Sequence, residues 1–532
     1  MLRALLFYVL TLSIFVNLLC AEGSDHAVNA SCKVKSDYNP TLFNEKVSKR
    51  LKQLADIYTS DDKDEIGKNA IKAAQICNDI ICLCNEQLKL IDKEMKMTSD
   101  YITKGVLDIE RRVISRINSH LIWDPFGEIL QSKLQDCLDA CPDDLLIAFL
   151  GLDNHDDLNL DEYEGDTLIQ ILRKVRLPFG CSISNQKDLS QLTALELSKI
   201  ENLRYLSVFC NNFDSINTLK IDKFKGLFRI KLDNPDASII KQLKNMPSLR
   251  VCMLFSLEDI DLSVLNGTNS LQILLIKNAL ITKDNFEKLN SLSNLHTLIL
   301  DTFYDTQIGL SNLKHFTKLR TLELYECEFK PRLLAKNNFC KNVSLTTLKI
   351  QGCPDLIKDL AFISGMNHLE NLILSGYGVD SIRFMTSDTN EMATTDGKIC
   401  IRIESLEDLA GLKYLKLEYC NISNKHLQHF QLLSKLDSLS VSVCSIENCD
   451  LSILNGKLWK LISFSCTKIS TKQFKQLQSV KRLNYLTIEE CDLSYKFIEH
   501  YFEMNNKCCV VFDRVIILFN GKKYKAIERF LD

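Results

Sequence analysis

A nine-residue apolar pattern recurs along this chain and restricts the folds that it can adopt. Residues 319–327 read LRTLELYEC, and the pattern returns as LKYLKLEYC at 412–420, LDSLSVSVC at 436–444 and LNYLTIEEC at 483–491. Each line has apolar residues at its first, fourth and sixth positions, which predicts a short β-strand with a buried face. Twelve lines begin at Leu203, Leu227, Leu249, Leu271, Leu295, Leu319, Leu345, Leu369, Leu412, Leu436, Trp459 and Leu483.

The eleventh line can be read from Leu458 or from Trp459. A start at Leu458 would place Ser463 at an apolar position, whereas a start at Trp459 places Ile462 and Phe464 there. Because the core-facing positions of a strand are apolar, we predict the start at Trp459.

The spacing of the lines indicates a stack of similar units. Successive lines start 22 to 26 residues apart, except for one step of 43 between Leu369 and Leu412. The pattern resembles the leucine-rich-repeat superfamily, and cysteine at the ninth position resembles its cysteine-containing subclass. The resemblance covers roughly 200–505. It implies an α/β solenoid, curved, with a parallel β-sheet on the concave side and helices on the convex side.

The segments that follow several lines have a helical pattern. Residues 423–433 read SNKHLQHFQLL, with Leu427, Phe430 and Leu433 three residues apart. The same offsets follow Thr282 and Ser470. Serine or threonine ahead of such a run is a typical helix N-cap. We therefore predict that each unit consists of a strand, a turn and a helix.

Cysteine occupies the ninth position of five lines. Neighbouring parallel strands hold these side chains in poor disulfide geometry, and a thiol fills a small apolar corner well. We predict buried free thiols at Cys327, Cys353, Cys420, Cys444 and Cys491. Better candidates for disulfides are Cys32, Cys137, Cys141, Cys508 and Cys509.

The N-terminus has the features of a secretory signal peptide. Arg3 precedes an apolar run at 4–19, and the small residues Ala21 and Gly23 follow. This order predicts a signal peptide at 1–21 and a secreted mature protein that does not insert into a membrane.

The remaining sequence divides into three predicted domains. The first, 22–180, is α-helical. There, Ile66 to Cys84 and Ile102 to Val113 have apolar spacings of three and four, which predicts an antiparallel coiled-coil pair. The solenoid occupies 181–505, with a polar insertion near 380–400. A C-terminal cap follows at 506–532, with a β-rich start.

Several classes of function are disfavoured. The net charge of −3 gives no general attraction to nucleic acid, and catalytic motifs for metalloproteases, serine hydrolases or nucleotide binding do not occur. We predict no enzyme, no cofactor and no metal.

Residues 153–164 partly match a calcium-binding loop, but His155 and Leu158 occupy unsuitable positions, so a solvated acidic turn is expected. The matching residues are Asp153, Asp157, Asp161 and Glu164.

Residues 141–158 resemble the start of an F-box. The family pattern is matched at Pro142, Leu145, Leu146, Phe149 and Leu158, whereas its second half is not recognisable. F-box proteins often carry cysteine-containing leucine-rich repeats. The resemblance implies an alternative function as substrate receptor of a ubiquitin ligase.

The outward positions of the lines predict a protein-binding surface. Side chains between the leucines point away from the core, and those of the early lines are apolar. The predicted binding residues are Tyr205, Phe209, Val251, Met253, Phe255, Ile273, Leu275, Ile299 and Tyr325. Either an unidentified protein partner covers this surface or the N-terminal helices do. The composition resembles secreted repeat proteins of intracellular eukaryotic parasites, which would imply a host protein as partner.

Four Asn-x-Ser/Thr sequences permit N-glycosylation of a secreted chain. They begin at Asn29, Asn266, Asn342 and Asn421.

Overall fold

The computed structural model describes most of the repeats and much of the N-terminal helical region. The described residues are 38–59, 66–123, 158–159, 165–183, 197–209, 219–257, 262–279, 288–303, 316–327, 344–353, 356–357, 360–376, 399–400, 406, 409–446, 448–465, 469–478, 480, 483–489, 509–512 and 515–517. The chain forms two compact units. The first unit comprises 2–256 with 267–273, and the second comprises 257–266 with 274–532.

The first unit contains four described helices of two turns or more. They are α1 (Pro40–Thr59), α2 (Ile66–Met97), α3 (Tyr101–Trp123) and α4 (Gly165–Lys174). Arg111 Nε of α3 lies 3.0 Å from Asp92 Oδ1 of α2, across a three-residue connection, so these helices run antiparallel. Their buried stripes include Cys77, Ile80 and Val113. The prediction of an antiparallel helix pair is thereby confirmed, and its coiled-coil packing stays a prediction. Helix α1 was not predicted.

Five parallel strands form the sheet of the first unit. They are β1 (Leu158–Asn159), β2 (Phe179–Ile183), β3 (Leu203–Phe209), β4 (Arg229–Asp233) and β5 (Val251–Phe255), in that order. Leu206 is opposite Ile230, which is opposite Cys252, so the predicted register is confirmed. Strands β1 and β2 precede the first line, and the sheet therefore begins before residue 181.

The second unit contains the remaining strands. They are β6 (Ile273–Ala279, from residue 274), β7 (Thr297–Phe303), β8 (Thr321–Tyr325), β9 (Thr347–Gln351), β10 (Asn371–Ser375), β11 (Ile399–Cys400), β12 (Tyr414–Glu418), β13 (Cys420–Asn421), β14 (Ser438–Ser442), β15 (Trp459–Ser465), β16 (Leu483–Glu489), β17 (Cys509–Phe512) and β18 (Val515–Ile517). Strands β7 to β10, β12 and β14 to β17 pair in parallel in chain order. The last pair, β17 with β18, is antiparallel and ends the parallel series.

Two sequence predictions concern the register within this unit. Leu372 of β10 is opposite Leu415 of β12, so the 43-residue step leaves the sheet uninterrupted. Strands β11 and β13 form a separate parallel pair beside it. Trp459 is opposite Leu483 and is buried, while Leu458 is 57 % exposed, which confirms the start of the eleventh line.

The helix prediction holds for only some units. Helices α6 (Asn424–Leu432) and α7 (Thr471–Gln478) occur where the sequence predicts them, and Ser423 forms a capping box with His426. Elsewhere the described connections contain the short helix α5 (Ala237–Ile240) or 3-10 turns. These turns are Ile221–Lys223, Lys241–Asn245, Leu262–Leu265, Leu289–Ser291, Leu360–Ile363 and Leu451–Gly456. The two 22-residue steps, which contain α5 and Leu262–Leu265, leave less length for a helix than the 24-residue steps of α6 and α7.

The eighth position of the lines has a left-handed backbone conformation. Eight residues at this position have φ between 49° and 66°. They are Asn234, Ser256, Asn278, Thr302, Glu326, Gly352, Tyr419 and Val443. The turn lets the main-chain N–H of Tyr419 bond to the carbonyl of Ser442 at 3.1 Å, and that of Glu326 to the carbonyl of Gln351 at 2.7 Å. The chain then turns from the strand into the core.

Candidate functional site

The ninth positions connect neighbouring strands through cysteine thiols. The N–H of Cys327 donates to Cys353 Sγ at 3.2 Å, and the N–H of Cys420 donates to Cys444 Sγ at 3.3 Å. The thiol of Cys444 donates in turn to the carbonyl of Leu417 at 3.4 Å. Each thiol therefore satisfies backbone groups of the preceding strand, which would otherwise be buried and unpaired.

The ten cysteines whose side chains the structure describes are thiols and do not form disulfides. The four ninth-position cysteines named above are buried thiols, as the sequence predicts. Cys491, Cys32, Cys137, Cys141 and Cys508 lie outside the described residues, and for Cys509 the structure describes only its place in β17.

The in-phase leucine positions, the parallel register and these thiol connections together decide the architecture. The fold is a leucine-rich-repeat solenoid with a helical N-terminal part. The resemblance stated from the sequence is thus confirmed at the level of the fold.

Comparison with solved structures returns other leucine-rich-repeat proteins. An internalin from Listeria monocytogenes is 18% identical over 61% of this chain and 89% of its own, with a TM-score of 0.38. In the Drosophila Toll–Spatzle complex the identity is 15% over 65% of this chain and 45% of the other, with a TM-score of 0.40. The mouse RP105/MD-1 complex gives 16% identity over 66% and 56%, with a TM-score of 0.42. No protein-family model and no curated protein matches the chain.

The described part of the chain contains neither a candidate membrane span nor a candidate metal site. Its helices include none with enough length and apolar character to span a bilayer. Its histidine, cysteine, aspartate and glutamate side chains include no group of three that could bind a metal ion.

The outward face of each sheet carries the side chains at the third, fifth and seventh positions of the lines. In the first unit, the predicted binding residues differ in accessibility. Phe209, Phe255 and Ile273 are partly exposed. In contrast, Tyr205 is 3 % exposed and Met253 is 4 % exposed, and Val251 is similarly buried. These three were expected at the surface, and the structure corrects that expectation.

The buried residues of the first unit pack around an arginine. The guanidinium carbon of Arg229 lies 4.8 Å from the centroid of the Tyr205 ring, and Arg229 Nη2 lies 2.8 Å from Met253 Sδ. On the other side of Tyr205, a Cβ on Gly180 would lie only 2.8 Å from Tyr205 Cδ1. The ring therefore fits only against glycine. Tyr205 and Met253 form part of an internal cluster.

The accessible end of this face contains a lysine between two phenylalanines. Lys231 Nζ lies 5.6 Å from the ring centroid of Phe209 and 5.0 Å from that of Phe255. Asp233 is the backbone partner of both phenylalanines. The sequence prediction omitted Arg229 and Lys231 because it selected apolar residues. The outward positions of the line that starts at Leu227 could have identified them.

Tyr325 is an aromatic side chain on the outward face of the second unit, and two charged residues contact it. Its hydroxyl donates to Glu323 Oε2, and Lys349 Nζ lies 4.8 Å from the centroid of its ring. Burial, followed by the negative charge of Glu323, raises the pKa of Tyr325 above its ordinary value. The phenol is therefore protonated at neutral pH and remains a hydrogen-bond donor. Leu275 and Ile299, the other predicted residues of this unit, are also partly exposed.

Charged side chains on this second face are matched in number. Lys277 Nζ lies 2.8 Å from Asp301 Oδ2, and Lys416 Nζ lies 2.8 Å from Glu418 Oε1. Together with Glu323 and Lys349 beside Tyr325, the face of β6 to β12 has three positive and three negative outward groups. It presents apolar and aromatic surface without a net charge.

The four candidate glycosylation sites fall in different surroundings. Asn266 is exposed, and its Oδ1 accepts a hydrogen bond from Ser291 Oγ at 2.6 Å. Asn421 is partly buried in β13. Asn29 and Asn342 lie outside the described residues.

The partial calcium-loop match at 153–164 and the F-box resemblance at 141–158 lie largely outside the described residues. Their shared residue, Leu158, lies in β1 opposite Cys181 of β2. A parallel strand at this point departs from the sharp turn that a calcium loop needs. The other F-box positions, at 142–149, and the signal peptide at 1–21 are outside the described residues.

Proposed function

We propose that this chain is a secreted, non-enzymatic protein that binds another protein through the outward face of its sheet. The observation that supports the proposal is the arrangement of Tyr325 between Glu323 and Lys349. An aromatic ring that is already fixed loses little conformational entropy on binding, and tyrosine is common among the residues that dominate interface energies.

The surroundings of Tyr325 suit an interface core. Ile299 is the backbone partner of Glu323, so an apolar side chain lies beside the Glu323–Tyr325 pair. Nearby charges are paired within the chain, as Lys277 is with Asp301. A partner would therefore bury little unpaired charge, which is the largest penalty at such a surface.

A site-specific photocrosslinker tests this proposal. We would place benzoylphenylalanine at Ile299 of the intact chain, and in a second preparation at Leu432, which is exposed at the end of α6. Each preparation is illuminated with the proteins of the medium or host cell in which the chain is found. We expect one specific adduct from position 299 and none from position 432.

A second substitution links the adduct to Tyr325. Tyr325→Ala in the chain that carries the crosslinker at 299 should reduce the yield at least fivefold, because the fixed aromatic contact is lost. Equal adducts from positions 299 and 432, or a yield that Tyr325→Ala does not change, would refute binding at this face.

The finer parts of the proposal concern origin and partner. The signal-peptide pattern at 1–21 supports secretion, and the parasite-like composition supports a host protein as partner.

The alternative function, a ubiquitin-ligase substrate receptor, rests on the residues at 142–149. This alternative requires that a Skp1-like adaptor binds the chain and that Leu146→Ala abolishes the binding. A binding assay with that adaptor would measure both.

A further inference from the structure

On β3, β4 and β5 of the first unit, the accessible part of the outward face is small and is located at the carboxyl ends of the strands. Along β4, Arg229 is buried, whereas Lys231 and Asp233 are partly exposed. The neighbouring Tyr205 and Val251 are buried like Arg229, and Phe209 and Phe255 are partly exposed like Asp233. On β3 to β5 a partner can therefore reach only this end, which we call the Phe–Lys–Phe group (Phe209, Lys231 and Phe255).

The ammonium of Lys231 has no anion beside it in the described structure. Its contacts there are the two phenylalanine rings, and none of the described residues forms a hydrogen bond or ion pair with it. Each ring face attracts the cation, which fixes the ammonium in a position with apolar walls. An ion pair formed beside apolar walls is screened less by water than one on an open surface.

The local charge favours an anionic ligand. Lys231 lies between the two rings, so the position between them carries a positive charge. Asp233, at the end of β4, is the accessible negative charge of the same strand. On the second unit's face, Lys277 and Lys416 are each ion-paired with a carboxylate.

We infer that the Phe–Lys–Phe group binds a carboxylate of an acidic peptide segment that has an apolar side chain next to the acid. The carboxylate pairs with Lys231, and the apolar neighbour packs on Phe209 and Phe255. This inference rests on the proposed protein-binding function and adds the chemistry of the partner at the first unit.

The probe is a random peptide library displayed on phage, selected on the intact chain at physiological ionic strength. The strongest binder is then synthesised twice, once with its acidic residues and once with the matching amides. We expect enrichment of acidic residues beside apolar ones, and about two- to fivefold weaker binding of the amide peptide, as for an exposed ion pair.

Two substitutions that change the local charge in opposite directions make the test specific. Lys231→Gln should abolish the difference between the acidic and amide peptides. Asp233→Asn should strengthen binding of the acidic peptide about twofold or more, because it removes a repelling carboxylate. A purely structural effect would weaken binding in both variants.

The inference is overturned if no peptide is enriched, if the enriched peptides lack acidic residues, or if Lys231→Gln leaves the preference for acid unchanged. Its failure is separable from failure of the proposed function, since the crosslink at Ile299 reports on the other unit. Binding of the acidic peptide with no crosslink at 299 would keep this inference and remove the Tyr325 site.

Discussion

The main-chain N–H of Cys420 donates to Sγ of Cys444, with an N–S distance of 3.3 Å. The Cys444 thiol donates onward to the carbonyl of Leu417 at 3.4 Å, within the preceding strand. The hydrogen bond with Cys444, followed by burial, raises the pKa of the Cys420 thiol far above its ordinary value. These cysteines therefore serve as packed, protonated thiols.

Alkylation should distinguish buried thiols from exposed ones. Burial raises the pKa of Cys77 and of Cys84 to about 12, so little thiolate forms at either site near pH 8. We expect Cys77, Cys84, Cys420 and Cys444 to react with iodoacetamide only after denaturation, without any reductant. Peptide mass spectrometry of samples labelled before and after denaturation measures this.

Cys82 is the control for this experiment. It lies on the same helix as Cys77 and Cys84, but it is exposed, so it should react in the folded protein within minutes. If Cys420 and Cys444 react only after reduction, they are paired, and the hydrogen bonds described for them do not exist in the purified protein.

Val443 should be replaceable to the benefit of stability. It has φ of 51°, a conformation that costs a β-branched residue about 1 kcal/mol or more and costs asparagine less. We expect Val443→Asn to raise the free energy of unfolding in urea by about 1 kcal/mol. The neighbouring Ser442 is not in the left-handed region, so Ser442→Asn should give no increase. A decrease in the free energy of unfolding with Val443→Asn would show that packing of the valine outweighs the cost of its left-handed backbone conformation.

The periodic part of the fold could be predicted from sequence because it depends on alternation. Leu206, Ile230 and Cys252 share one register, and Trp459 begins its line as predicted. The left-handed eighth position was not predicted, because residues as different as Asn234, Tyr419 and Val443 adopt it. Tertiary hydrogen bonds impose that conformation where propensity opposes it.

The candidate site was less predictable than the fold. Alternation indicates that Tyr205 and Met253 face outward, and they do, yet both are buried around Arg229. Which outward residues are covered depends on contacts between distant parts of the chain, and a period within one line contains no such information. Tyr325 was predicted, whereas its partners Glu323 and Lys349 were not, because the prediction selected apolar and aromatic residues.

Glu110 should be essential to the first unit. It is fully buried on α3, accepts the main-chain N–H of Arg176 at 2.6 Å, and lies 3.0 Å from Arg176 Nη2. The guanidinium also lies 5.0 Å from the ring centroid of Tyr38, so three segments meet at this point. We expect Glu110→Ala to lower the free energy of unfolding by about 3 kcal/mol.

Asp108 provides the matched control for Glu110. It forms an ion pair with Arg112 one turn along the same helix, and both side chains are partly exposed. Asp108→Ala should cost about 0.5 kcal/mol or less in the same urea titration. Equal losses of unfolding free energy for Asp108→Ala and Glu110→Ala would mean that burial does not increase the contribution of the Glu110 contacts to stability.

The pH dependence of stability should contain a contribution from Lys457. Its Nζ donates to the carbonyls of Phe430 and Leu433 at the end of α6. Burial lowers the pKa of Lys457 to about 8, and the charge of Asp437 opposes this shift only in part. In the unfolded chain the pKa returns to 10.5, the ordinary value for lysine.

Between pH 8 and 10.5 the unfolded chain therefore holds a proton that the folded chain has lost. Raising the pH through this window increases the contribution of Lys457 to the free energy of unfolding, and the increase is complete above pH 10.5. We expect the unfolding free energy of the unsubstituted protein, minus that of Lys457→Met, to increase as the pH rises through the window. Lys460→Met, which removes a lysine paired with Asp437 at 2.7 Å, is the control for the loss of one positive charge in the same region. Parallel curves for the parent protein and Lys457→Met would show that the lysine keeps its ordinary pKa and that the two carbonyls hold it charged.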